Sequence, residues 1–267
     1  MTAFACMLRD WSGRALAYLW SGWGALASLL LFCAVWEWGA AVYGELILPD
    51  PRTVFASLTS LFTSGVAAPE LLITARRALT GFGFALLVGS ALGIAAGISM
   101  TASMMSRPII TVLIGTPPIA WLVLALLWFR ASDGTPVFTV FIATLPVIFA
   151  GAMQGGRTLD RNFTDMAKAF RLPWPMRIFD LYLPHVVSYL FPAWITALGI
   201  SWKVVVMAEL LASSDGVGAA LAVTRSHLDT TATLAWIVAI VGILLAVEYL
   251  LLEPVKRRME RWRERAE

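Results

Sequence analysis

Four ionisable residues lie inside long apolar stretches of this chain: Glu37, Lys203, Glu209 and Glu248. A charge at membrane depth is costly and marks a solute or ion path by default. Lys203, beside Trp202, is placed to attract an anion; the plainer readings pair it with Glu37 or Glu209, or let it snorkel toward an interface. Glu209 either meets a solute or shapes the Gly216-Val217-Gly218 turn that follows it, and Glu248 can equally reach an interface. Pro117-Pro118 must interrupt a helix, and backbone freed in this way is tolerated in a bilayer only when buried or lining a cavity. Thr116, Pro117, Pro118 and Trp121 are therefore candidate pathway residues beside Lys203 and Glu209. No nucleophile, acid and base converge: Cys6, Cys33, His185 and His227 lack metal or redox spacing, so neither a metal site nor a catalytic set is expected.

The elements that must position these residues follow from composition. Of 267 residues, 59% are hydrophobic and 14% charged, against about 45–50% and about 25% in soluble domains. A bilayer core takes roughly 20 apolar residues per helix. Six such segments are expected, over 21–43, 79–100, 109–129, 137–153, 183–211 and 234–252, all helical because hydrocarbon offers backbone no partner. The fourth carries Pro146. Residues 1–20 are weakly charged and precede a segment too long for a signal-peptide core, so the first span is expected to be retained.

Lys and Arg set the orientation. With the N-terminus inside, the inner segments hold Arg9, Arg14, Arg107, Arg157, Arg161, Lys168, Arg171, Arg177 and the tail from Lys256 to Arg265; only Arg52, Arg76, Arg77, Arg130 and Arg225 fall outside. This asymmetry predicts that both termini are cytoplasmic, with Arg76 and Arg77 as the dissent. The net charge of +3 reflects topology and gives no nucleic-acid patch. The tail, 255–267, reads as a cytoplasmic anchor able to meet anionic lipid. Region 1–70 is expected to hold the first span and an extracellular segment, and 71–254 the core. Many of the 12 tryptophans fall near span ends, as an interfacial belt does, while Trp121, Trp128 and Trp194 lie deeper. In the second segment, Gly81, Gly83, Gly89, Gly93 and Gly97 suggest close helix packing.

The longest polar interruption is 154–182. Phe163, Met166, Ala167 and Phe170 recur at helical spacing, with Asp165, Lys168 and Arg171 elsewhere on the wheel. Asn162 or Thr164 is the expected cap, and Pro173 and Pro175 the stop. This stretch resembles the EAA loop of binding-protein-dependent importer permeases: Glu-Ala-Ala, three residues, Gly, nine residues, an aliphatic, any residue, Leu-Pro. The frame here is Asp165-Met166-Ala167, Arg171, Leu181, Leu183-Pro184. Asp165 stands for the Glu. Arg171 stands for the Gly, and left-handed backbone costs an Arg about 1 kcal/mol, so Leu172-Pro173 is expected to make the turn.

The resemblance covers nearly the whole chain. LPDPRTVFASL (Leu48 to Leu58), the segments Thr74 to Gly97 and Arg107 to Phe129, and LGISWKVVVMAELLASSDGVGAAL are similar to blocks of the nitrate, sulfonate and taurine branch, in the same order. It implies an all-α membrane protein with the type I ABC importer (MetI-like) permease fold, in the bacterial inner membrane. It further implies a second permease subunit, with a homodimer expected, two ABC ATPase subunits carrying the ATP and Mg, and an extracytoplasmic substrate-binding protein. The permease is then no enzyme and holds no cofactor. Asp165, Met166, Ala167, Phe170, Arg171, Leu183 and Pro184 would form the ATPase-coupling loop, and the solute would be nitrate, a sulfonate or a similar anion. A pyrimidine-type heterocycle is the alternative solute. A stand-alone secondary transporter is the rival class, for which mirrored broken spans are lacking.

Overall fold

The computed structural model describes residues 27–158, 165–167 and 169–247. Among them every regular element is helical: α1 Ala27–Tyr43, α2 Pro51–Thr63, α3 Ala67–Ile98, α4 Met100–Gly115, α5 Pro118–Phe129, α6 Gly134–Arg157, α7 Trp174–Ala212, α8 Val217–Ser226 and α9 Thr230–Ala246. Three of these, α3, α6 and α7, are each long and apolar enough to cross a membrane. The pair α4 and α5 passes the same test together, and α1 and α9 are shorter apolar helices. The expected beginning of the first span, the end of the sixth with Glu248, and the cytoplasmic tail lie outside the described residues.

The centre of the bundle is α6, packed between α3 and α7. Backbone approach there demands small residues: a Cβ on Gly93 would lie 2.5 Å from the Cβ of Ala152 and from the carbonyl oxygen of Phe149. One on Gly97 would lie 2.7 Å from the carbonyl oxygen of Met153. Gly81 and Gly89 face α6 in the same row, whereas Gly83 meets open space and is no part of it. Across α6, Ala85, Leu145, Ile148, Ala152, Leu190 and Ala197 close one apolar core. In hydrocarbon such packing replaces the hydrophobic effect as the force between helices.

Several spans differ from their expected limits, and the second, expected over 79–100, already starts at Ala67. The fourth, expected over 137–153, is the unbroken 24-residue α6, with Pro146 buried inside it. The third was expected as one kinked helix over 109–129; instead α4 starts at Met100, and α4 and α5 are bent by 93°. The bend is this sharp because Thr116 (ψ 122°) and Pro117 (ψ 141°) are both extended. Pro118 then restarts the helix at its first position, where a missing N–H costs nothing. Further out, Asp50 caps α2 by accepting from Thr53 N at 2.9 Å, and α2 packs Leu58 and Leu61 with Trp236 and Ala239 of α9.

Candidate functional site

The loop preceding α7 was the strongest functional signal, and its described residues adopt a defined stop. Asp165–Ala167 and Ala169 are helical. Phe170 N donates to Met166 O at 3.0 Å, and Leu172 N to Ala167 O at 3.0 Å. With Arg171 at φ +49°, this is a Schellman ending, whose left-handed position usually belongs to Gly. Arg171 itself therefore makes the turn, correcting the expectation that Leu172-Pro173 would. The side chain of Arg177 helps hold it, Nε donating to Leu172 O at 2.9 Å. Ala167 is buried (1% exposed), whereas Phe170 (74%) and Met166 are exposed, so one face packs and the other is presented. Asn162, Phe163, Thr164 and Lys168 lie outside the described residues.

The regular α-helix of the fifth span runs Leu183–Ala212, close to the expected 183–211, but it continues a helix that begins earlier. The helix begins at Trp174 and passes through a π segment, Arg177–Tyr182, into the rest of α7. Pro184 explains the wide register: its ring excludes the carbonyl of Asp180 and it donates no hydrogen bond. The chain relaxes by the longer step, Leu183 N donating to Ile178 O.

At the break between α4 and α5, Thr116 N and Oγ1 both donate to Val112 O, at 3.0 and 2.8 Å. Pro117 and Pro118 are exposed. The indole Nε1 of Trp121 is buried with no acceptor among the described residues, as is that of Trp202. Helix α5 rests on α7 through Leu122 and Leu126 against Ala208 and Ala212. Lys203 is exposed, and among the described residues no ion pair joins it to Glu37 or Glu209.

Glu209 has a different setting from the solute contact it was a candidate for. It is fully buried, and Oε1 accepts from Arg77 Nη1 at 3.0 Å. Its Oε2 accepts from Thr74 Oγ1 at 2.8 Å and Gly218 N at 3.1 Å. These bonds place it at the Gly216-Val217-Gly218 turn, as the turn-shaping alternative has it.

Arg77, read from sequence only as a dissent from charge asymmetry, is the hub. It is 3% exposed. Nε donates to Asp133 Oδ1 at 2.9 Å, Nη2 to Asp133 Oδ1 and to Asp215 Oδ1 at 2.6 Å, and Nη1 to Glu209 and to Asp215 O at 2.9 Å. A guanidinium has five N–H donors in a rigid fork, and these bonds occupy it fully. Arg76 adds a 2.5 Å contact to the other oxygen of Asp133. The paired Arg77 side chain, foremost, holds the Asp133 carboxyl below its ordinary range.

The same cluster caps α8. Gly216 N donates to Glu70 Oε2 at 2.5 Å, Val217 N to Thr74 Oγ1 at 2.9 Å and Gly218 N to Glu209. These orphan amides of a first turn are satisfied by α3 and α7, with carboxylates at the positive end of the helix. Gly216 is obligatory here: its φ is +92°, and an added Cβ would sit 2.5 Å from the Glu209 carboxyl. The cluster was missed because Asp133 and Asp215 lie 56 and 138 residues from Arg77, the neighbour of Thr74 on α3. Its signal was an Arg pair at one membrane end facing three acids placed at the same end of other segments. Chemically the cluster offers no nucleophile or open cation site; it ties four helix ends together.

An all-helical bundle with three helices long and apolar enough to cross a membrane, and a bent pair that passes the same test together, defines an integral membrane protein. The chain belongs to the family described as binding-protein-dependent transport system inner membrane component, which matches residues 85–264. Over 248 residues it is 28% identical to the aliphatic sulfonates transport permease protein SsuC of Bacillus subtilis, itself a provisional assignment, covering 90% of this chain and 89% of that one. It is 25% identical over 246 residues to the taurine transport system permease protein TauC of Escherichia coli, covering 89% of each. With the nitrate import permease protein NrtB of Synechococcus elongatus it shares 26% over 200 residues, covering 71% of this chain and 72% of that one. The fold is similar to a chain of the inward-facing MetNI methionine ABC transporter, at a TM-score of 0.60 and 12% identity, covering 70% of this chain and 93% of the other.

Proposed function

We propose that this chain is the permease subunit of an ATP-driven importer for a small anion such as nitrate or a sulfonate. An extracytoplasmic binding protein delivers the solute, two copies of the permease form the pathway, and ATP is hydrolysed by two separate ATPase subunits with bound Mg. The observation that carries this reading is the loop frame from Asp165 to Pro184, whose Arg171 sits in left-handed backbone at the position the importer loop reserves for Gly. That turn leaves a helix with one packed face and an exposed face bearing Met166 and Phe170, shaped to enter a cleft of the ATPase.

In this reading the bundle has six spans, the described six apolar segments counted with α4 and α5 as one. Both termini are cytoplasmic, so loop 154–182 faces the ATPase and the Arg77 cluster lies outside. The two arginines that oppose the charge asymmetry are then paired with acids and carry little topological weight. Closure of the ATPase pair moves α7 through its continuous 39-residue length, a stiff element suited to rocking packed helices. Lys203 and the break at Thr116 to Trp121 line the path. The deep tryptophans also suit a flat heterocycle, which keeps a pyrimidine-type solute as the second reading.

The test is the partner binding protein. A thermal-shift screen against nitrate, alkyl sulfonates, bicarbonate and pyrimidine precursors should stabilise it with one of the first two. Selective stabilisation by a pyrimidine precursor would transfer the assignment to the second reading, and the Lys203→Met permease should lose uptake only in the anion case.

A further inference from the structure

A cavity of about 670 Å³ lies where the ends of α3 and α6 meet the starts of α4 and α7. Its floor is mostly small and apolar, formed by Gly97 and Gly156 with Ile94, beside the buried Ser103. Its rim carries Arg157, Trp174 and Tyr182. None of these serves the Arg77 cluster, and the pathway candidates lie elsewhere.

The chemistry of the rim and floor is divided. Arg157 ends α6, is exposed, and has no ion-pair partner among the described residues. Trp174 and Tyr182 are the residue types that sit at headgroup depth. The floor continues onto the exposed apolar side chains Ile98 and Met100, a surface suited to acyl chains. A small hydrophilic anion would leave the apolar floor unmatched, and a neutral lipid would leave the cation unmatched. An amphiphile with one acidic headgroup matches both, and basic pockets between spans on the cytoplasmic side are suited to such headgroups.

We infer that this cavity binds an anionic phospholipid of the cytoplasmic leaflet, its phosphate against Arg157 and an acyl chain over Gly97 and Ile94. The inference rests on the proposed orientation. Because Trp174 and Tyr182 flank the π segment that joins the loop to α7, a bound lipid braces that joint. Loop-driven ATP hydrolysis should then depend on lipid charge.

The assembled importer, with its ATPase and binding protein, is placed in nanodiscs of phosphatidylcholine with or without phosphatidylglycerol, and retained lipid is counted by native mass spectrometry without ATP. Wild type should retain phosphatidylglycerol, Arg157→Lys should keep it, and Arg157→Gln should lose it at least several-fold while the basic tail stays intact. Phosphatidylglycerol should raise solute-stimulated hydrolysis several-fold in wild type and not in Arg157→Gln. Equal retention by wild type and Arg157→Gln, or equal retention of phosphatidylcholine, would overturn the proposal. So would lipid retained by the permease alone and lost from the assembled importer, measured in parallel, which would mark the cavity as ATPase surface. Lipid counting needs no turnover, so a complex that fails to couple tests the importer reading separately.

Discussion

Arg77 Nη1 lies 3.0 Å from Glu209 Oε1, joining α3 to the end of α7 across 132 residues of chain, with both side chains buried. Breaking a buried pair from one side costs about 3–5 kcal/mol, because the other charge is stranded. Arg77→Met should therefore lower the thermal midpoint of the purified permease by that order of free energy. Arg77→Met with Glu209→Gln should be more stable than Arg77→Met alone. A double variant less stable than the single would contradict the pairing.

The acid limb of stability should report Asp133. Its carboxyl is lowered in the folded state, so its contribution is complete above the ordinary carboxylate value, about 3.9, and is lost as pH falls through the lower folded value. Midpoints measured from pH 7 down to pH 3 should be flat in this respect to about pH 4 and fall beneath it. Asp133→Asn should be destabilised at pH 7 and lose part of that acid dependence.

How much of this was legible in the chain is best seen at two places. The proline pair at 117–118 and the glycine row of α3 were readable because their physics is local: a missing N–H and a missing Cβ act wherever they stand. The size of the 93° bend was not, since it depends on Thr116 and Pro117 both staying extended. The Arg77 cluster was invisible as a unit because no spacing rule links α3 to a helix cap 56 residues on and a turn 138 residues on. Glu209 was noticed as a buried charge, yet its role depended on which partner arrived, and only the turn at Gly216 hinted at it.

The glycine row gives an internal control. Gly93→Val must push α3 from α6, since the obstacles are a carbonyl and a Cβ at 2.5 Å, and overpacking of this kind costs about 1–3 kcal/mol. Gly83→Ala meets nothing and should be neutral or stabilising by about 0.5–1 kcal/mol. Thermal unfolding in one detergent checks both; equal effects would contradict the packing.

Arg171 in left-handed backbone carries strain of about 1–2 kcal/mol that Gly would relieve. Arg171→Gly should slow limited proteolysis within loop 154–182 and keep coupling. Arg171→Val, β-branched and in the same conformation, should speed cleavage there.

The central claim is that the loop before α7 couples this permease to its ATPase. The most direct measurement is solute-stimulated ATP hydrolysis by the reconstituted complex carrying a deletion of 165–171, with membrane insertion checked in parallel. Stimulation should vanish while the permease stays inserted. Stimulation equal to wild type in an inserted permease would contradict it.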